Sequence, residues 1–294
     1  MTLEDAELLT DEQILKVRRE IMVTFHPDRW SDPDKKLRAQ ALFVRAQSPK
    51  RPVVSHALVM RSPTTSYELS PDPIQGDVSD VYVTTDKRFV VKVSGFSEGN
   101  RLLKKEAENL GKMSKQKFAP HYVPVLYESF SGKDGRIVNV FNNDPDLVPF
   151  SRMVDVDGVH ACWLFNRILE SIMMMEDVGI RHTAIVPDHV MVNPKTHRIK
   201  LVGWGHSTTG KIDSIPSRYR SWYPDWLKKL DSGTNGIDLV FAAKTVLTMN
   251  RIDGRIRKFL GGCHYGDETL EIQNEFKKLL LSVYGPPKFI PLVI

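Results

Sequence analysis

Apolar positions recur at spacings of three and four near the start of the chain. Ile14, Val17, Ile21 and Phe25 form one stripe, with Lys16, Arg18, Arg19 and Glu20 off it, which predicts an amphipathic helix. Thr10 and Gln13 offer a capping box at its start. Pro27 ends it, because the residue before a proline is pushed out of the α region. A loop over 28–34 leads to a second helix over 35–47, with Leu37, Ala41 and Val44 on one side. The prolines of 48–52 break the pattern, and the Ser/Thr/Pro-rich stretch 62–75 reads as a linker passing into a strand near Tyr67. A domain boundary is expected at 60–66.

Beyond it the period changes to two. β-branched runs at 78–84 and 88–93 flank a turn at Asp86-Lys87, a hairpin signal. Leu102, Leu103, Ala107 and Leu110 mark a helix over 100–113, and 122–129 and 136–141 read as two more strands. From 159 onward helical patterns dominate, interrupted by short strands at 190–192 and 199–202. The apolar run 168–175 is bracketed by Glu170 and Glu176, which makes it a buried helix and not a membrane span. No internal repeat is visible.

Composition narrows the function classes. The chain has 294 residues with a formal net charge of +5 and no long Lys/Arg run with interleaved aromatics, so no nucleic-acid partner is expected. Cys162 and Cys263 are the only cysteines and form no CxxC pair, so neither a zinc site nor a disulfide framework is expected. The acidic start, Met1 to Asp5, lacks an apolar stretch, so no signal peptide is predicted and the expected location is cytoplasmic.

Two constellations carry chemistry. The first is His26-Pro27-Asp28 between the two N-terminal helices. A basic amphipathic helix, this tripeptide and a second helix resemble the J-domain of DnaJ-type co-chaperones. The resemblance implies that His26, Pro27 and Asp28, with Lys16, Arg18 and Arg19, engage a DnaK-type ATPase and stimulate it. The basic face would meet an acidic surface.

The second runs from 67 to 285 and resembles a protein kinase. Gly76 is the only glycine left where a phosphate loop would stand, and Asp77 and Asp80 add negative charge there. Val90-Val91-Lys92-Val93 resembles the strand bearing the phosphate-binding lysine, and Glu106 on the next helix stands as the partner of Lys92. If nucleotide binds, the resemblance implies that Gly76, Lys92 and Glu106 hold it.

The stretch from His182 to Asn193, followed by Leu201-Val202-Gly203-Trp204-Gly205, resembles the catalytic and metal-binding loops. Ala184 stands where the base carboxylate belongs, His189 where a metal-binding amide belongs, and Gly203 where the metal-binding carboxylate belongs. Ala184 cannot orient a hydroxyl proton. Gly203 offers no ligand, and imidazole suits a hard cation poorly. No catalytic residue, metal or cofactor is therefore expected, ATP and Mg²⁺ being the doubtful case. Asp188 is the one carboxylate left in the loop. His182 and Trp204 read as packing residues, Asn193 as a turn former, and Asp238 as the aspartate that ties the loop backbone from below. Tyr219, Arg220, Trp222, Tyr223 and Trp226 form an aromatic, basic segment. It reads either as packing or as a partner-binding surface.

The whole pattern also resembles a group of bacterial and phage proteins with J-domain and kinase-like parts. They share the Pro187-Asp188-His189 pattern, a tryptophan at the position of Trp204 and a segment like 218–224, but carry an aspartate where Gly203 stands. The expected architecture is α+β: a J-like helical hairpin over 1–60 and a bilobal kinase-like fold, small lobe 67–143 and large lobe 144–294. The expected function is a catalytically impaired kinase-like (pseudokinase) binding module that recruits a DnaK-type chaperone or another protein, in a bacterial cytosol or, if phage-encoded, a host cytosol. The alternative is an active atypical serine/threonine kinase that binds ATP through Lys92 and Glu106. A small-molecule phosphotransferase needs the same missing aspartates and ranks below both, and a structural protein is the remaining reading.

Overall fold

A computed structural model describes residues 2–9, 13, 14, 17, 20, 21, 24, 25, 30, 32–47, 58–95, 97–153, 155–227, 236–290 and 292. The chain divides into two compact units, Met1–Ala57 and Leu58–Ile294.

In the first unit Thr2 opens helix α1 (Leu3–Glu7). Its hydroxyl accepts the Asp5 amide, and the Asp5 carboxylate accepts the Thr2 amide, each at 3.1 Å, so each side chain satisfies the other's orphan amide. Residues 13, 14, 17, 20, 21 and 24 are helical, and α2 spans Pro33–Gln47. Leu3, Ala6, Ile14, Ile21, Phe25, Ala39, Leu42 and Ala46 form one buried core, with Val17 packed on it. The N-terminal part is thus more than a two-helix hairpin, because α1 contributes Leu3 and Ala6.

The inward face of α2 also differs from the expected one. Leu37 is 69% exposed and Ala41 is exposed, whereas Ala39, Leu42 and Ala46 are buried. Ala39, Leu42 and Ala46 stand at i, i+3 and i+7 and join the core of this unit. At the rim of that face the Arg38 guanidinium grips the Glu7 carboxylate of α1 at 2.9 and 2.6 Å. Trp30 stacks on Phe25, ring centroids 6.5 Å apart. Thr10, Lys16, Arg18, Arg19, His26, Pro27 and Asp28 lie outside the described residues.

The second unit begins earlier than the 60–66 boundary. Leu58–Arg61 (β1) pairs with Ser66–Leu69 (β2) as an antiparallel hairpin. The stretch read as linker is its turn: Ser62 Oγ accepts the amides of Thr64 and Thr65 at 3.2 and 3.0 Å. Serine and threonine here close a tight turn, where the composition alone suggested a flexible connection.

Then come β3 (Ile74–Gln75), β4 (Ser79–Val83), β5 (Phe89–Ser94), helix α3 (Ser97–Met113), the short α4 (Ala119–Tyr122), β6 (Leu126–Ser131) and β7 (Ile137–Asn142). The strands form one antiparallel sheet in the order β3-β4-β5-β7-β6. Strand alternation sorts the side chains. Val91, Val93, Val138 and Val140 join Tyr67, Leu69 and Tyr82 in one core, so Lys92 and Asn139 are sent to the other side, toward α3. The residues near Tyr122 form α4 and not a strand, with Pro120 in its first turn.

After β7 the chain becomes helix-rich. Strand β8 (Val148–Pro149) pairs with β9 (Val190–Asn193), which pairs with β10 (Arg198–Leu201). Helix α5 (Gly158–Glu176) is buried along most of its length, as its apolar run requires. Its bracketing carboxylates are satisfied: Glu170 accepts the Tyr122 hydroxyl at 2.7 Å, and Glu176 accepts the Thr269 hydroxyl at 2.6 Å. Helices α6 (Ile237–Leu247), α7 (Gly254–Gly261) and α8 (Thr269–Tyr284) complete the unit around a core that holds Phe165, Ile168, Trp204, Phe241 and Phe276. Among the described residues no helix is long and apolar enough to cross a membrane.

Candidate functional site

The register of β5 against β7 sets Lys92 opposite Asn139, and Glu106 comes down between them from the inner face of α3. Lys92 Nζ donates to Glu106 Oε1 at 2.6 Å, and Asn139 Nδ2 donates to Glu106 Oε2 at 3.0 Å. Glu106 is buried. A buried carboxylate is tolerable only when its oxygens are paired, and here both are. Asn139 also donates to the Leu103 carbonyl at 2.9 Å and accepts the Ser129 hydroxyl at 2.7 Å. Sequence reasoning missed Asn139. The available signal was a single amide inside the apolar strand Ile137-Val138-Asn139-Val140-Phe141.

Gly76 serves the turn from β3 to β4. Its amide donates to the Ser79 carbonyl at 3.0 Å, and a Cβ at Gly76 would lie 2.8 Å from that oxygen. Asp77 at the tip of the turn is committed elsewhere: its carboxylate accepts the Ser217 amide and hydroxyl, each at 2.7 Å.

The loop in the large lobe is held from below. The Asp238 carboxylate accepts the amides of His182 and Thr183, each at 2.7 Å. Burial pushes this carboxyl up to about 7, against the two amides, which favour its charged form. Thr183 sits at φ +60, a conformation that surrounding bonds must enforce. Its hydroxyl donates to the His206 carbonyl at 2.8 Å, and its own carbonyl accepts the Tyr223 hydroxyl at 2.6 Å.

The centre of the loop is lined by rings. His182 is buried, with its Nε2–H donating to the Val202 carbonyl at 3.0 Å and its ring edge-on to Trp204 at 5.0 Å. His189 donates from Nδ1 to the Ala184 carbonyl at 2.9 Å, and its ring stacks with His206 at 6.1 Å. Trp204 is buried and donates from Nε1 to the Leu201 carbonyl at 2.7 Å. Burial holds all three imidazoles below the usual histidine range, His182 well below it and His206 at about 3. They are neutral at neutral pH. Asn193 forms the expected turn, its Oδ1 accepting the amides of Lys195 and Thr196 at 3.1 Å.

The donor set does not fit Mg²⁺. Ala184 and Gly203 contribute no side-chain oxygen, and His189 spends its Nδ1–H on a backbone carbonyl. A hard cation takes oxygen ligands. Among the described residues no group of three or more His, Cys, Asp or Glu side chains is placed to hold a metal ion. Asp188, the remaining carboxylate of the loop, is engaged by Arg218 Nη1 at 2.7 Å and by the Tyr219 hydroxyl at 2.9 Å.

The segment after this loop is tied to both lobes. Asp213 accepts Lys105 Nζ at 2.6 Å and also pairs with Arg101, both on α3. Asn109, from the same helix, donates to Ser207 Oγ at 2.8 Å. These ties span 98–140 positions of sequence, so no local pattern announced them.

The aromatic segment does not act as one surface. Tyr223 is buried, because its hydroxyl supports Thr183 and its ring packs edge-on against Phe241 at 4.7 Å. It is withdrawn from the partner surface. Tyr219 and Trp222 are partly buried, Trp222 packing on Phe241 with Lys244 over its ring. Arg220 is exposed and Trp226 is 46% exposed. Of the five residues, these two are the ones that face solvent.

Many solved structures resemble the chain, two of which illustrate the likeness. "Structure of vaccinia related kinase 3" superposes with a TM-score of 0.58 at 13% identity, over 83% of this chain and 96% of that one. "Crystal structure of BubR1 kinase domain" gives 0.59 at 11%, over 79% and 85%. The chain has a protein-kinase-like fold. At these identities the likeness is one of fold alone. No protein-family model matches the sequence, and no curated protein does.

Proposed function

We propose that the chain is a catalytically impaired protein-kinase-like binding module joined to a J-domain-like helical segment that recruits a DnaK-type chaperone or another protein partner. The observation that carries the first half is the joint change at Ala184, His189 and Gly203, while Lys92, Glu106 and Asp238 keep their partners. Proton acceptance and metal binding act on the same phosphoryl-transfer step, and both are removed together. The supports of the fold are retained. The second half rests on His26-Pro27-Asp28 beside a basic helix pattern. Arg220 and Trp226 are the exposed anchors for a protein partner, arginine and tryptophan being frequent interface hot spots. On this reading the protein works in a bacterial cytosol, or in a host cytosol if phage-encoded.

The test of the chaperone half is the steady-state ATPase rate of a cognate DnaK-type protein with the full chain added. The expected result is stimulation that Asp28→Asn abolishes. An unchanged rate, or equal stimulation by the variant, removes this half. One observation favours the competing reading of an active atypical kinase: the Lys92–Glu106 bond at 2.6 Å is the arrangement nucleotide binding would use. That reading requires phosphotransfer that Lys92→Ala eliminates.

A further inference from the structure

Gly203 lies at φ +85 immediately before Trp204. A Cβ built on it would lie 2.6 Å from Cε1, 2.7 Å from Nδ1 and 2.8 Å from Cγ of His189. Side-chain carbons do not approach ring atoms so closely in packed interiors, so one of the two must give way.

His189 is poorly placed to do so. Its ring is pinned by the Nδ1 bond to the Ala184 carbonyl at 2.9 Å and stacks with His206, while His182 stands edge-on at 6.2 Å. Its backbone is fixed on both sides. The amide donates to the Val186 carbonyl, and the carbonyl accepts the Val202 amide, each at 2.8 Å. That second bond ties His189 to the residue preceding Gly203.

We propose that His189 is a steric plug of the metal position and that Gly203 is the residue this plug demands. The two substitutions form one interlocked replacement. A divalent cation is excluded by filled volume as well as by missing ligands. This rests on the reading of 182–205 as the counterpart of a kinase's metal-binding loops, although the packing itself involves no nucleotide. It follows that a carboxylate restored at 203 alone creates a misfit, and that His189 must be removed first.

The test is a double-substitution cycle on the full chain, read as melting temperature. Gly135 supplies the control: it lies at φ +79 with nothing within 4 Å of the place a methyl group would occupy, so Gly135→Ala reports backbone strain alone. Gly203→Ala is expected to lower the melting temperature by at least about 4 °C more than Gly135→Ala. That excess is expected to vanish in a His189→Ala background. Gly203→Asp should likewise be relieved by His189→Asn.

The proposal is overturned if Gly203→Ala melts no lower than Gly135→Ala, or if the excess persists without the imidazole. Should Gly203→Ala fail to fold, soluble His189→Ala/Gly203→Ala supports the plug. An insoluble double variant beside soluble His189→Ala refutes it. Should His189→Ala itself be insoluble, the comparison of Gly203→Ala with Gly135→Ala decides. A Mg²⁺-dependent response to ATP in the unaltered protein would sink the catalytically impaired reading and the exclusion of the cation, whereas the interlock of His189 with Gly203 stands or falls by the cycle alone.

Discussion

Buried carboxylates meet opposite outcomes in two regions of the second unit. In the small lobe a buried carboxylate persists, because Lys92 and Asn139 occupy both oxygens of Glu106. In the large lobe the positions expected to bear carboxylates hold Ala184 and Gly203, and neutral imidazoles fill the space around them. The difference follows from desolvation. A buried charge survives where the protein itself completes its hydrogen bonds, and is a liability where only a metal would have done so. Asp238 follows the small-lobe rule, since two backbone amides complete it.

The largest effect should come from removing such a completed carboxylate. Asp238→Ala strips two short bonds from the buried amides of His182 and Thr183. It should reduce unfolding free energy by about 2–6 kcal/mol, at about 1–3 kcal/mol for each buried amide left without a partner. Chemical denaturation measures this, and a loss under about 1 kcal/mol would show that the loop needs no support from below. Glu106→Ala ranks next. It leaves the largely buried Lys92 ammonium unpaired, for an expected loss of about 3–5 kcal/mol.

Acid should act on the three buried rings. His182, His189 and His206 are held below the usual histidine range by burial. The unfolded chain therefore takes up protons that the folded chain refuses once the pH falls below about 6.5. Stability is full above that value and declines on acidification, His206, held at about 3, contributing up to about 1.4 kcal/mol per pH unit and His182 and His189 acting in the same direction. Asp238 acts oppositely. Its carboxyl, pushed up to about 7, binds a proton in the folded state first and offsets one of the three in the window down to about 4. Melting temperature should fall between about pH 6.5 and about pH 5, and His206→Gln should flatten that slope. An identical slope in the variant would assign the acid sensitivity to other groups.

The smallest effect is expected at the surface. Arg218→Ala breaks an ion pair to Asp188 whose arginine side chain is 72% exposed, and it should cost under about 1 kcal/mol. A larger loss in thermal denaturation would mean that Asp188 depends on Arg218 more than on Tyr219.

Sequence order carried the kinase-like fold. Lys92 could be found because it stands inside a β-branched strand that precedes an amphipathic helix bearing Glu106, and each of these signals is local. Asn139 was hidden because its role depends on the register of β5 with β7. The commitments of Asp77 and Asp213 were hidden because their partners lie more than a hundred positions away. Tyr223 was misjudged because an aromatic next to Trp222 and Trp226 looks like surface until its hydroxyl is traced to Thr183. On α2 the amphipathic pattern was weak, and the inward face is made of small residues, Ala39 and Ala46 beside Leu42, that a search for large apolar positions passes over.

On the proposed reading the site around Lys92 and the 182–205 loop keeps its scaffold without metal chemistry. The most direct measurement is the melting temperature of the full chain with ATP, with and without Mg²⁺, since a ligand that binds the folded state raises it. No Mg²⁺-dependent rise is expected. A Mg²⁺-dependent rise that Lys92→Ala abolishes, accompanied by autophosphorylation, would contradict the claim.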